Sequence, residues 1–91
     1  MLRITTVTQT PEEIVLRLEG WVTGEGVGVL AEEGHRRLRK ARRLVLDLNG
    51  VKSIDAAGLA LLQGWSGSRL VLRGGSGYLR ALLSSSGLES I

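Results

Sequence analysis

Residues 44–62 read LVLDLNGVKSIDAAGLALL, and this stretch decides the fold. Residues 44–48 form a short apolar run interrupted by one acid, a pattern typical of a buried strand. The Asn-Gly pair at 49–50 favours a turn and predicts the end of that strand. Asp55 directly precedes a run of alanine and leucine, so we expect its carboxylate to cap a helix by accepting free backbone N–H groups of the first turn. The stretch therefore predicts a strand, a loop and a helix over 56–65.

The same residues carry a resemblance to a known family. The segment LDLNGVKSIDAAGL at 46–59 resembles the signature of the STAS domain family. That family includes bacterial anti-sigma factor antagonists and the small STAS subunits of phospholipid ABC transporters. In the antagonists the loop usually reads Asp-Ser-Ser-Gly or Asp-Thr-Ser-Gly, and its second hydroxyl residue is phosphorylated. The corresponding position here is Ala57, preceded by Ala56, so the resemblance implies the family's fold with its phospho-acceptor lost.

Hydrophobic periodicity extends this interpretation to the whole chain. The first predicted elements are two strands at 3–8 and 14–18 and a helix at 25–41. A strand at 43–48, a helix at 56–65 and a strand at 69–73 follow. The last predicted helix is capped by Ser76 and ended by Gly87. After the first hairpin, strands and helices alternate, which favours a mixed sheet with right-handed crossovers. The predicted fold class is α/β: one STAS-like domain over 1–91, with a mixed sheet of four to five strands flanked by helices.

Composition narrows the classes of function. The 91 residues include no cysteine and one histidine, which excludes disulfides, thiolate chemistry and a histidine metal cluster. No apolar run approaches ~20 residues and no signal peptide is apparent, so we expect a soluble, cytoplasmic protein without a transmembrane segment. We expect neither a cofactor nor a metal.

The net charge is +3, and the cations concentrate in one basic run, Arg36, Arg37, Arg39, Lys40, Arg42 and Arg43. One interpretation is a solvated helix face, because cations are favoured near the C-terminus of a helix. The other is a docking patch for an acidic protein or a membrane surface. Aromatic residues do not interleave with the cations, and no nucleic-acid partner is expected.

Two groups of residues could suggest other chemistry. The spaced glycines of Gly24–Gly28 lack the full dinucleotide-binding spacing, and a loop followed by a helix start explains them. Asp47 and Asp55 could form a carboxylate pair for acid–base work or metal binding. No histidine or further acid accompanies them in sequence, so we interpret Asp47 as a structural acid and Asp55 as a helix cap.

A nucleophilic site is not indicated either. The serines that flank the signature helix are Ser53, Ser66 and Ser68, and none occupies the family's acceptor position. A catalytic serine also needs a base, and His35 lies on a different predicted helix without a marked acidic partner. We therefore predict no enzymatic activity.

The resemblance instead implies a regulatory module that binds a partner protein. In the antagonists, the loop and helix after the signature bind the ATPase fold of an anti-sigma kinase. Phosphorylation breaks that complex by adding a charge of about −2 beside the helix N-terminus. The partner-binding surface implied here consists of Asp55, Ala56, Ala57, Gly58, Leu59 and Trp65, locked in the unmodified state.

Two alternatives stay open. The segment AGLALL at 57–62, followed by Trp65, resembles the cytoplasmic STAS subunits of phospholipid ABC transporters equally well, and such a subunit would dock on the transporter's ATPase. The other alternative is a degenerate STAS domain that serves as a dimer or a scaffold.

Overall fold

The computed structural model describes residues 1–65, 67 and 69–91 of the chain. The elements follow one another as β1 (Leu2–Gln9), β2 (Glu13–Val22), α1 (Glu25–Leu38), β3 (Arg43–Ile54), α2 (Ala56–Trp65), β4 (Leu70–Arg73) and α3 (Gly77–Ser85). This is the predicted order of strands and helices. No helix within the described residues is long and apolar enough to cross a membrane.

The four strands form one mixed sheet in the spatial order β1-β2-β3-β4. The β1–β2 hairpin is antiparallel, whereas β3 pairs in parallel with both β2 and β4. A single core cluster joins Leu16 and Leu46 of the sheet to Leu30 of α1, Leu62 of α2 and Leu79 of α3. All three helices therefore cover the same face of the sheet, and the predicted α/β class with a mixed sheet is confirmed.

Within the described part of the chain, no helix packs on the opposite face of the sheet. Val15 and Val45 are buried there although they lie outside the core cluster. Beside them, Asp47 is only 7% exposed. Its Oδ2 atom lies 3.6 Å from Nε of Arg17 and 4.0 Å from a terminal nitrogen of Arg73. Asp47 thus links β3 to both neighbouring strands by charge, which supports its interpretation as a structural acid.

The predicted strand end at 49–50 is wrong, because β3 runs on past these residues for a total length of 12 residues. Pairing with β2 passes from Arg17 opposite Asp47 to Glu19 opposite Gly50, so β3 accommodates one extra residue. Such a bulge bends and twists a strand without ending it. The Asn-Gly pair is locally suited to a turn, but pairing with the equally extended β2 decides the conformation.

α1 ends at Leu38, before the predicted end at residue 41. The last carbonyl groups of a helix lack partners within the helix, and here the Arg69 guanidinium donates to the last one of α1 and to two in the connection that follows. It donates to the carbonyl oxygen of Leu38, to that of Ala41 at 2.9 Å and, through Nε, to that of Arg42 at 3.1 Å. A cation from the start of β4 therefore closes α1 at the negative end of its dipole.

Both predicted ends of the last helix are confirmed. The Ser76 hydroxyl accepts the backbone N–H of Leu79 at 3.1 Å. Gly87 adopts φ 78°, and the N–H of Leu88 donates to the carbonyl oxygen of Leu83 at 2.8 Å. This left-handed turn satisfies the last carbonyls of α3 and folds Leu88 back into the core, where it is 4% exposed.

Candidate partner-binding site

Asp55 lies at the end of β3 that leads directly into α2. Its Oδ1 atom accepts the backbone N–H of Gly58 at 2.8 Å, which confirms the predicted N-cap. Its Oδ2 atom accepts the backbone N–H of Gly24 at 3.1 Å. The N–H of Asp55 itself donates to the carbonyl oxygen of Val22 at 3.2 Å. One side chain thus joins the start of α2 to the residue that precedes α1.

These backbone donors also set the ionisation of Asp55. The N–H of Gly58, and after it that of Gly24, stabilises the charged carboxylate and holds the pKa of Asp55 below its ordinary value of 3.8. The positive end of the α2 dipole acts in the same direction. The carboxylate is therefore ionised at neutral pH and fixed in position by main-chain hydrogen bonds.

The signature residues differ in exposure. Ala56 and Ala57 are exposed on the first turn of α2, Leu59 is half-buried, and Gly58 is buried. A Cβ atom on Gly58 would lie 2.7 Å from the carbonyl oxygen of Val22, so only glycine allows α2 to start this close to β2. Gly58 positions the loop, and the two alanines present its surface.

Trp65 lies at the other end of α2, half-buried against α1. Its ring meets that of His35 edge-on, with centroids 5.4 Å apart and planes inclined at 75°. A Cβ atom on Gly34 would overlap the Trp65 ring, which explains a glycine in the interior of α1. Trp65 therefore joins the two helices, and its additional contact with a partner stays a prediction.

The exposed face of α2 is uncharged. This ten-residue helix contains no acid and no base, in a chain in which 23% of the residues are charged. Its exposed residues are Ala56, Ala57, Ala60, Gln63 and Gly64. Small uncharged side chains let another backbone approach closely, and they lose little solvation when they are covered. The depletion of charge is typical of the centre of a protein–protein interface.

Trp21 is absent from the predicted site, yet it lies at the same end of the sheet. β2 continues to Val22, and Trp21 pairs with Ser53, two residues before Asp55. Its side chain is 45% exposed, which is high for a tryptophan. Side chains of a strand alternate between its two faces, so the pattern that places Leu18 in the core also places Trp21 on the outer face. The predicted strand ends at residue 18, and the prediction therefore does not include Trp21.

The structure does not bring the two acids Asp47 and Asp55 together. Asp47 and Asp55 are eight positions apart along β3. The stretch from Asp47 to Ile54 pairs with β2 from Arg17 to Val22, which corresponds to roughly 17 Å at the usual rise of a strand, and each acid has its own partners. The N–H of Gly24 is used by Asp55 rather than left for a phosphate. No group of three or more metal-ligating side chains occurs among the described residues.

Of the three serine candidates, only Ser53 lies within the described residues. Ser53 is half-buried within β3, and His35 contacts Trp65 rather than a serine. Ser66 and Ser68 lie outside the described residues.

Comparison with known proteins defines the class. A family model described as "Mlab, STAS domain" matches residues 5–91, so the chain belongs to the STAS domain family. Its fold is similar to the solved structure of the anti-sigma factor antagonist SpoIIAA in its unphosphorylated form, with a TM-score of 0.82 and 18% sequence identity over 98% of this chain and 86% of that chain. No curated protein sequence matches this one significantly. The similarity at this level of identity is one of fold.

Proposed function

We propose that this STAS domain is a non-catalytic regulatory module, similar to the anti-sigma factor antagonists, which binds a partner protein through the Asp55 loop and the exposed face of α2. The observation that carries this proposal is the uncharged, small-residue surface of α2. It begins at the two exposed alanines of the signature, Ala56 and Ala57, and continues through Ala60. In the anti-sigma factor antagonists that the chain resembles, this loop and helix bind the partner protein.

The proposed site works without the phosphorylation switch. Ala57 occupies the acceptor position, and its methyl side chain offers no oxygen to a phosphoryl group. A phosphate there would bring a charge of about −2 next to the ionised Asp55. Without that charge, the surface keeps the unmodified form, and the complex is not released by phosphorylation at this position.

Trp21 extends the proposed interface around the end of the sheet at which Asp55 lies. Exposed tryptophans are enriched among residues whose truncation costs much binding energy. Because Trp21 pairs with Ser53, it stands next to the strand end that carries Asp55. We therefore include the exposed residues Trp21, Ala56, Ala57 and Ala60 in the site, together with the half-buried Asp55.

The partner we propose first is an anti-sigma kinase, bound through its ATPase fold. The alternative is a cytoplasmic STAS subunit of a phospholipid ABC transporter, docked on the transporter's ATPase. The fold similarity to the antagonist SpoIIAA supports the first partner, whereas the missing acceptor at Ala57 supports this alternative. A permanent subunit needs no release signal, and permanent interfaces are more apolar than transient ones.

Calorimetric titration against purified candidates tests the site and separates the two partners. The candidates are an anti-sigma kinase and an ABC transporter ATPase encoded in the same genome. The informative variant is Ala60→Glu, which places a charge in the middle of the exposed α2 face. The matched control is Ala81→Glu, the same change at an exposed position of α3.

We expect one of the two ATPases to bind the native chain, with Kd at least about 100-fold weaker for Ala60→Glu and unchanged for Ala81→Glu. An unpaired charge buried in an interface costs several kcal/mol, which accounts for that loss. Equal losses for both variants would place the interface elsewhere. If neither ATPase binds and the native chain is a dimer that Ala60→Glu dissociates, the scaffold function replaces this proposal.

A further inference from the structure

An open cationic cleft lies at the opposite end of the sheet from Asp55. There the connection from α1 to β3 meets the β1–β2 turn, and the N–H of Arg42 donates to the carbonyl oxygen of Pro11 at 3.1 Å. A cleft of about 470 Å³ is lined by Pro11, Leu38, Arg39, Lys40 and Arg42 together with Ala41 and Arg69. A second cleft of about 190 Å³ shares Pro11 and Lys40 with it, so the two form one extended surface.

Half of the basic run is occupied by structural ion pairs. Arg36 and Arg37 both bond to Glu33, Arg37 through Nε at 3.0 Å. Burial opposes the charged form of Glu33, but the hydrogen bonds from Arg37 and Arg36 outweigh burial and hold the pKa of Glu33 below its ordinary value. Arg43 pairs with Glu13 at 2.8 Å across the two strands. These three cations therefore belong to the fold.

The other half of the run lines the cleft and is unpaired. Arg39, Lys40 and Arg42 are exposed, and none makes an ion pair or a side-chain hydrogen bond within the described residues. Three like charges around one cleft repel one another and create a positive potential that attracts an anionic group. Within the described residues, no acidic side chain pairs with any of these three cations.

The groups that surround the cleft indicate which kind of anionic ligand it binds. A small phosphate is often held by free backbone N–H groups in addition to cations, but the N–H groups of Lys40 and Ala41 both donate to the carbonyl oxygen of Arg37. The adjacent end of α1 is its C-terminus, which presents carbonyl oxygens. The cations stand on long exposed side chains beside apolar Pro11 and Leu38. This arrangement suits an extended chain that carries both acidic and apolar side chains.

An anionic lipid bilayer and single-stranded nucleic acid fit the cleft less well than an acidic protein segment does. Insertion into a lipid bilayer requires exposed apolar anchors, and the large exposed hydrophobic residues of the described chain all lie outside the cleft: Met1, Val7, Trp21, Val29, Tyr78 and Ile91. Single-stranded nucleic acid is usually held by aromatic stacking, and no aromatic residue lines the cleft.

We propose that this cleft binds an acidic segment of a second protein. Carboxylates of the segment meet Arg39, Lys40 and Arg42, and an apolar side chain packs on Pro11 and Leu38. The whole length of β3, on the order of 30 Å, separates this cleft from the Asp55 loop. Both surfaces can therefore be occupied at once, and a bridging role for the domain rests on the proposed α2 interface. The proposal does not depend on which ATPase binds α2.

Fluorescence anisotropy on the intact chain tests the cleft. The probe is a short fluorescein-labelled peptide rich in glutamate and aspartate, with two central leucines. The cleft variant is Arg39→Gln with Arg42→Gln. The matched control is Arg3→Gln with Lys52→Gln, which removes two exposed cations that also lack an ion pair in the described residues. Both double variants lower the net charge equally, and circular dichroism verifies that both are folded.

We expect the native chain and the control to bind the peptide alike, the cleft variant to bind about tenfold more weakly, and salt to weaken binding. A peptide with glycine in place of leucine should also bind more weakly. Equal losses of peptide affinity for both double variants would show that net charge alone explains the binding, and would overturn the proposal. Absence of peptide binding, or stronger binding to phosphatidylglycerol vesicles or duplex DNA than to the peptide, would also overturn it.

Discussion

The carboxylate of Asp55 accepts the backbone N–H of Gly24 at 3.1 Å, across 31 positions of the chain. With its other oxygen, the same carboxylate caps α2 through Gly58. The N-terminal ends of α1 and α2 are thus fixed to one another by a single ionised side chain. This aspartate of the family signature is therefore part of the fold as well as part of the proposed binding surface.

Replacement of Asp55 by asparagine should make the stability of the domain less dependent on pH. The native pKa of Asp55 lies below 3.8, so the unfolded chain takes up this proton first as the pH falls. The stabilisation by the charged group is complete above the ordinary pKa and is lost as the pH falls through the lower native pKa. Asparagine still accepts the Gly58 N–H but carries no charge.

Thermal melts at pH 7, 4 and 2.5 measure this effect. The melting temperature of Asp55→Asn should lie below that of the native chain at pH 7, and the difference should shrink towards pH 2.5. Glu12→Gln, at an exposed acid in the β1–β2 turn, serves as the control and should follow the native chain. A difference that stays constant over the pH range would show that the charge of Asp55 does not stabilise the fold.

Two glycine substitutions in α1 should have opposite effects. Gly34→Ala places a methyl group on the Trp65 ring and should destabilise the domain by about 1–3 kcal/mol through overpacking. At Gly28 an added Cβ meets nothing within 4 Å, so Gly28→Ala should stabilise α1 by about 0.5–1 kcal/mol. Urea denaturation followed by circular dichroism measures both values. Stabilisation by both substitutions would mean that Trp65 does not pack on α1.

Substitutions of Ala57 should separate folding from partner binding. Ala57→Ser adds one hydroxyl at an exposed position and should change stability by no more than about 0.5 kcal/mol. Ala57→Glu should also fold, because an acid is favoured in the first turn of a helix, but it should lose the partner. A thermal melt and a pull-down with the partner measure the two properties. An unfolded Ala57→Glu would assign residue 57 to the core, and full retention of the partner would remove the loop from the interface.

Treatment with an anti-sigma kinase and ATP should leave the native signature loop unmodified. The only hydroxyl group between Asn49 and Leu59 is that of Ser53, which is half-buried in β3. If the kinase recognises this surface, Ala57→Ser should restore an acceptor and gain phosphate at position 57. Mass spectrometric mapping distinguishes the two positions. Phosphate on Ser53 of the native chain would show that the switch has moved rather than disappeared.

The sequence by itself determined the order of elements, the cap at Asp55 and both ends of α3. Each of these depends on residues within a few positions of one another: Asp55 reaches Gly58, Ser76 reaches Leu79, and Leu88 reaches Leu83. Hydrophobic periodicity likewise reports which face of an element is buried. Local hydrogen bonds and periodicity are properties of the chain, so they can be predicted from the chain alone.

The tertiary structure alone decided the features that join distant segments. Strand pairing with β2 carried β3 through an Asn-Gly pair that locally favours a turn. The cation that closes α1 comes from Arg69 at the start of β4, and the ion pair of Arg43 with Glu13 joins two strands that lie 30 positions apart in the chain. The position of Trp21 beside the Asp55 loop follows from strand register. These contacts depend on how the strands and helices pack, because their partners are far apart in the chain and the local sequence does not encode the distances between them.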